Sequence, residues 1–571
     1  MPRIRTLRST VSALLVAAAL APWPAPAPAQ GLAGAFLAAR LAGEQNDFLA
    51  STRYLERILE TDPENLATLE GVTVSAFSAG LFDAAQSHAE TLVRLDPESR
   101  IASMVLMSEG FARGDYDQVA TISDGGAEVH PLIDGLARAW AKLGQGSMSE
   151  ALDLLDETST QEGMQAFALY CRALALALVG DAEGALAILE DPATGVSGSL
   201  NRRGYIAYAQ LLGLVERFDD AIAMIDRVFA GSTDPRLADM RAAYETQQAV
   251  PFDVIDSPAQ GMAEVYAVMA SAMRSTQSPH EALIYAQAAV HINPALSDAQ
   301  LLIGQLFEEL EQPQMAAAAY ERIPQGDVFA MAAQMGRAQV LEGLGQVDEA
   351  IAILTRTAAD NPDSFTAQQV LADFLRRADR HDEAIVAYSR GLDLMAERGV
   401  EPGWQTYFSR AVSYERTGQW PLAEADFRTA LEIEPDQPSV LNYLGYSLVE
   451  RGENLDEALA MIERAVRGEP DSGYIVDSLA WALFRLGHYD QAVPHMERAV
   501  ELAPTDPILN DHLGDVYWAV SRYREARFQW RRALSFGPND DMDESRIRRK
   551  LEVGLDAVRA EEGLPPLHPE H

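Results

Sequence analysis

The sequence predicts an all-α solenoid, a stack of helix–turn–helix repeats, and three observations predict it. One alanine recurs at a fixed interval: Ala282, Ala316, Ala350 and Ala384 stand 34 residues apart, as do Ala458, Ala492 and Ala526, and Ala50 to Ala85 misses by one. A glycine stands five residues before that anchor in Gly80, Gly146, Gly180, Gly345, Gly418 and Gly487. A proline stands twelve after it in Pro97, Pro294, Pro362, Pro435, Pro470, Pro504 and Pro538. A period of 34 residues belongs to stacked helical pairs. Glycine favours the left-handed turn that ends a first helix, and proline cannot continue a second one.

In chain order, the first residues stand apart. Arg3, Arg5 and Arg8 precede an apolar run from Val11 to Leu20, and a Pro/Ala segment ends Ala27-Pro28-Ala29. That is the order of a cleavable secretory signal peptide, so residues 1–29 are expected to be removed and the mature chain to begin at Gln30. The apolar run is too short to span a bilayer, and no later segment is long and apolar enough. No cysteine adjoins the cleavage site, which argues for a freely diffusing periplasmic protein with no transmembrane segment in its mature form. Residues 30–240 read as an N-terminal solenoid, with weaker units anchored near Ala50, Val119 and Ala221. The step from Ala221 to Ala282 is one repeat plus 27 residues. Within it Asp234–Gln248 reads as helical and Ala249–Pro258 as an extended loop, so 241–262 is the expected linker between two solenoid halves. Residues 263–538 read as the second solenoid. A five-residue excess around Gly399–Gly403 is either a tolerated insertion or a docking loop. Asp541–Glu561, with Ile547, Leu551 and Leu555 on one face, is expected to cap the last repeat, and Gly563–His571 to be disordered.

The unit Gly473–Asp506 shows how the repeat works. Leu479, Ala480 and Leu483 mark one face of its first helix, and Ala492, Met496 and Ala499 one face of its second. Ala480 and Ala492 are small enough to let the two helices approach closely.

Composition narrows the function. The chain of 571 residues carries a net charge of −40, which argues against a nucleic-acid partner. Only Lys142 and Lys550 are lysines, so arginine supplies almost all positive charge. Cys171 is the single cysteine, so no intramolecular disulfide forms. Its helical, apolar context makes it a small buried hydrophobe. No phosphate loop, H-E-x-x-H, G-x-S-x-G or paired-cysteine motif is present, and the histidines lack metal-ligand spacing. The reading is therefore a non-enzymatic protein without cofactor or metal, whose long surface serves a protein or peptide partner.

The alanine, glycine and proline register resembles the tetratricopeptide repeat over most of the chain. The resemblance implies a right-handed superhelix whose first helices line a concave face. Repeat positions two, five, nine, twelve and thirteen would look inward there. Carried onto this sequence, they give Asn442, Tyr446 and Glu450, then Asp477, Trp481, Phe484 and Arg485, then Asp511, Asp515 and Trp518. Such a groove of aromatic and acidic side chains would anchor apolar side chains of a partner and select its Lys or Arg. The alternative is that Trp481 and Trp518 pack between neighbouring repeats.

Leu441–Leu534, with LNYLGYSLVERGENLDEALAMIERAV and DSLAWALFRLGHYDQAVPHMERAVELAP, more narrowly resembles envelope tetratricopeptide proteins of Gram-negative bacteria. Some of those are adaptors for carboxyl-terminal processing proteases, bringing protease and cell-wall hydrolase substrates together. The expected function is a periplasmic scaffold or adaptor that binds proteins or peptides through its concave face. Regulation of an envelope protease or cell-wall hydrolase, or a part in polysaccharide or pilus export, are the alternatives.

Overall fold

The computed structural model of the chain describes residues 32–125, 129–161, 163–232, 234–275, 278–537 and 542–568. The expected signal peptide, Pro538 and His571 lie outside the described residues. Among the described residues every regular element is an α-helix, and no strand occurs. Two compact units divide the chain, Met1–Ile353 and Leu354–His571.

The recurring small residue is the pivot of each helical pair. Ala85, Ala151, Ala185, Ala221, Ala282, Ala316, Ala350, Ala384, Ala423, Ala458, Ala492 and Ala526 expose no surface, nor does Val119. A methyl group is what the helix crossing admits, because interiors pack too densely to absorb a larger side chain without displacement. The turn glycines adopt the left-handed conformation that the register predicts: Gly80 has φ +73° and Gly487 φ +82°. There the backbone closes as a Schellman turn, with His488 N donating to Leu483 O at 2.8 Å and Gly487 N to Phe484 O at 3.0 Å. The same register holds non-glycine residues elsewhere, in Glu216 (φ +61°), Glu311 (φ +58°), Asp379 (φ +56°) and Ser521 (φ +63°). Each keeps the turn at the steric cost glycine avoids.

In the first unit, helix pairs run from Leu32–Glu44 and Phe48–Leu59 to Arg202–Leu214 and Phe218–Val228, followed by the helix Pro235–Glu245. The chain then runs without regular structure through 249–257 and forms the pair Pro258–Ser275 and Pro279–Ile292. That pair turns back onto the side where the earlier first helices line up. Pro279–Ile292 packs on Leu66–Ser78 and Arg100–Arg113, and Pro258–Ser275 on Pro131–Gly144 and Gln165–Leu178. Residues Ala102 to Phe111 are consequently buried without interruption, which a helix with an open face cannot show. Polar clasps fix the docking. Gln287 Nε2 donates to Ser78 O at 3.0 Å, His291 Nε2 lies 2.7 Å from Glu109 Oε2, and Arg203 pairs with Glu264. Gly261 meets Trp140 so closely that an added Cβ would lie 2.4 Å from the indole.

This arrangement changes the expected domain plan. The segment 241–262 lies inside the first unit: Val254 and Ile255 are buried, and Gln210 Nε2 donates to Asp253 Oδ1 at 2.7 Å. Residues 263–353 therefore pack with the N-terminal array, and the divide falls between Ile353 and Leu354. A second array does begin at Pro258, but its first pair packs on the first helices of the first array.

The second unit stacks pairs from Phe365–Arg377 and His381–Glu397 to Pro507–Ala519 and Tyr523–Phe536. Much of the five-residue excess before Ala423 is absorbed as helix, since His381–Glu397 has 17 residues. The cap is two helices where one was expected, Glu544–Val553 and Leu555–Glu561, with Ile547 and Leu555 buried. They break at Gly554 (φ +88°), where the Trp518 ring leaves no room for a side chain. Nor is all of the tail loose. Leu567 N donates to Asp556 Oδ1 at 2.6 Å and His568 Nδ1 lies 3.0 Å from Asp556 Oδ2, so one carboxylate ties residues 567 and 568 down.

Candidate functional site

The predicted surface residues sit on three successive first helices of the second unit, Pro438–Arg451, Gly473–Arg485 and Pro507–Ala519. Each helix starts where the sequence says it should. Pro438 and Pro507 take positions in the first turn that need no N–H. Asp506 caps Pro507–Ala519 by accepting from Ile508 N and Leu509 N at 2.9 and 3.0 Å.

Trp481 is the centre of the arrangement. Its ring stacks on Phe484 (4.9 Å, 17°) and on His512 (4.1 Å, 16°). Its Nε1 donates to Glu450 Oε1 at 2.8 Å, and Arg485 Nη1 donates to the same oxygen at 2.9 Å. Asn442, Tyr446 and Trp481 are half-buried, and Glu450 and Arg485 are exposed. Glu450 thus joins Trp481 and Arg485 across two helices, and Asn442, Tyr446 and Glu450 follow one another at four-residue helical spacing, so the five make a strip with aromatic and charged members. Burial, reinforced by Glu450 and Asp477, pushes the Tyr446 hydroxyl well above its ordinary range, so it stays a neutral donor. Asn442 Oδ1 is buried without a hydrogen-bond partner among the described residues.

The other predicted residues lie deeper. Phe484 and Asp477 are buried. Asp477 accepts from or pairs with His512 Nδ1 at 3.0 and 3.1 Å. Burial alone would lower the His512 imidazole, but Asp477, then Asp511 and Asp515, carry it above its ordinary value.

Asp511, Asp515 and Trp518 correct the expected open groove. Lys550, fully buried on Glu544–Val553, donates to both oxygens of Asp511 at 2.8 Å and to Asp515 Oδ1 at 2.7 Å. Trp530 Nε1 donates to Asp515 Oδ1 at 2.8 Å, and Trp518 Nε1 to Asp556 Oδ2 at 2.8 Å. Burial raises the Asp511 carboxyl, Lys550 opposes it, and Asp515 adds to the rise. These residues hold the cap: Asp515 and Trp518 are buried, and Asp511 is half-buried under Lys550. Every carboxylate of the predicted set thus has a partner within the chain, so selection of a Lys or Arg ligand would require exchange of an existing pair. Sequence reasoning missed Lys550, His512 and Asp556. One signal existed: Lys550 is one of two lysines in a chain that otherwise uses arginine.

Cys171 is buried in the first unit, and burial pushes its thiol well up, as its apolar context predicts. Among the described residues no group of three or more His, Cys, Asp or Glu side chains is placed to hold a metal ion. No described helix is long and apolar enough to cross a membrane.

Two models of the tetratricopeptide repeat match the chain, over residues 331–394 and 402–539. These segments are tetratricopeptide repeats. The second includes all the predicted surface residues. A TPR repeat-containing protein of Pseudomonas aeruginosa is 30% identical over 186 residues, 32% of this chain and 30% of that protein. Bacteriophage adsorption protein A of Escherichia coli is 33% identical over 94 residues, 16% of this chain and 9% of that protein. The chain spans less than a third of the length of either relative. Among solved structures, the APC/C hetero-tetramer Cut9–Hcn1 aligns at 16% identity and a TM-score of 0.36, over 85% of this chain and 95% of that one.

Proposed function

We propose that the chain is a non-catalytic periplasmic scaffold that binds a protein or peptide segment on the second unit's strip of Asn442, Tyr446, Glu450, Trp481 and Arg485. The observation that carries this reading is the half-buried aromatic surface, ringed by charge, that the first helices of the second unit retain. The first unit fills the side of its first helices with its own pair 258–292. The second unit leaves Trp481 and Tyr446 half-buried beside the exposed charges of Glu450 and Arg485. A rigid aromatic anchor with a polar rim is the composition of a binding hot spot. Tetratricopeptide repeats present such strips on preformed helices, so little entropy is lost on binding.

The test is affinity capture from envelope extract with the wild-type chain, Trp481→Ala and Arg485→Glu. Loss of the same captured proteins in both variants, with unchanged circular dichroism, supports the strip. Equal capture by all three removes it. The location is tested separately: the chain recovered from the periplasmic fraction should begin at Gln30 by mass spectrometry, and recovery from the cytoplasm alone would refute export. The narrower reading, an adaptor for an envelope protease or cell-wall hydrolase, rests on the resemblance of Leu441–Leu534. It requires that deletion of the gene change the level of at least one envelope protein.

A further inference from the structure

The first helix among the described residues, Leu32–Glu44, is unusual in which side chains it leaves in water. Phe36, Leu37 and Leu41 are 60%, 68% and 52% exposed. Helical spacing puts them on one face, opposite Ala35, Ala39 and Ala42, which are buried against the rest of the repeat. Three large apolar side chains on one exposed face mark an interaction site, whereas scattered ones do not. The last helices of the second unit show the contrast. Their outer surface carries Arg548, Arg549, Glu552 and Glu561 in ion pairs, the polar ending that a stacked array needs for solubility.

We propose that the Phe36–Leu37–Leu41 face is the contact by which two copies of this chain associate, first helix against first helix about a twofold axis. Two observations name a second copy as the occupant. The face belongs to a first helix, and first helices already meet one another inside this unit, Leu66–Ser78 on Arg100–Arg113 and Pro131–Gly144 on Gln165–Leu178. And the helix is electrically neutral, with only Arg40 and Glu44, paired to each other at 3.1 Å, in a chain of net charge −40. Two such acidic molecules repel almost everywhere else. A neutral apolar face is where they approach without that penalty, and a twofold contact needs only one self-complementary patch.

The experiment is sedimentation equilibrium of the purified full chain across a concentration series, beside Leu37→Glu and Phe36→Glu. The wild type should show a concentration-dependent mass of twice one chain. Each variant should weaken the association by about tenfold or more, the effect of a charge placed in a small apolar contact. Both positions are exposed, so unchanged circular dichroism confirms that the variants fold. A wild type that remains one chain throughout, including one that instead cosediments with phosphatidylcholine vesicles, overturns the proposal. So does a dimer indifferent to both substitutions. The Trp481 strip is untouched by these variants, so its success or failure is read independently.

Discussion

Lys550 is a single charged residue with no exposed surface, held by two carboxylates and lying 5.6 Å from the Trp530 ring. Removing one member of a buried ion cluster leaves the others uncompensated. Lys550→Met should therefore cost about 3–5 kcal/mol in denaturant unfolding of the second unit. His512 gives that unit a pH dependence. Its folded value lies above its ordinary one, so its contribution is fully present below the unfolded value, about 6.5, and is lost as pH rises through the folded value. The unit's melting temperature should fall as pH rises above about 6.5, and His512→Gln should flatten that slope. The strained turns give a gain. Glu311→Gly relieves a left-handed glutamate and should stabilise the first unit by roughly 0.5–1 kcal/mol, net of the entropy glycine adds to the unfolded chain. At this scale the anchors were legible because each obeys a local rule: Ala492 must be small and Gly487 must turn left. Lys550 was not, because its partner Asp511 is 39 residues away, across a turn and a helix, and nothing local marks that pairing.

Helices and their order were legible for the same reason, since the 34-residue period repeats a local grammar. What the pair Pro258–Ile292 packs against was not. Its hydrogen bond from Gln287 to Ser78 joins residues 209 apart, and periodicity describes neighbours, not returns. The stretch 249–257 therefore read as a linker when it is the path by which a repeat reaches the first helices of the first array. The docking has no slack at Gly261, where any side chain meets the Trp140 ring. Gly261→Leu should destabilise the first unit by about 1–3 kcal/mol or more through overpacking, measured by denaturant unfolding, and should accelerate hydrogen exchange along Pro131–Gly144. The strip at Trp481 was half legible. Family geometry placed Asn442, Tyr446, Glu450 and Arg485 together, but could not show that the cap helix already claims Asp511 and Asp515.

At the scale of the molecule, two contact units imply two cooperative blocks. Leu479 and Leu513 are 5% and 2% exposed in the second. Leu479→Ala or Leu513→Ala should cost about 2–5 kcal/mol there, lowering one calorimetric transition and leaving that of the first unit in place. A uniform loss along the chain would contradict the division. The self-filled first array also bears on how the protein is made. Its six opening helix pairs precede, in the chain, the residues that complete their interior, so a chain exported as proposed delivers an unlined trough first. Until residues 258–292 have followed, that greasy surface stays open, and the protein should lean on a holding chaperone.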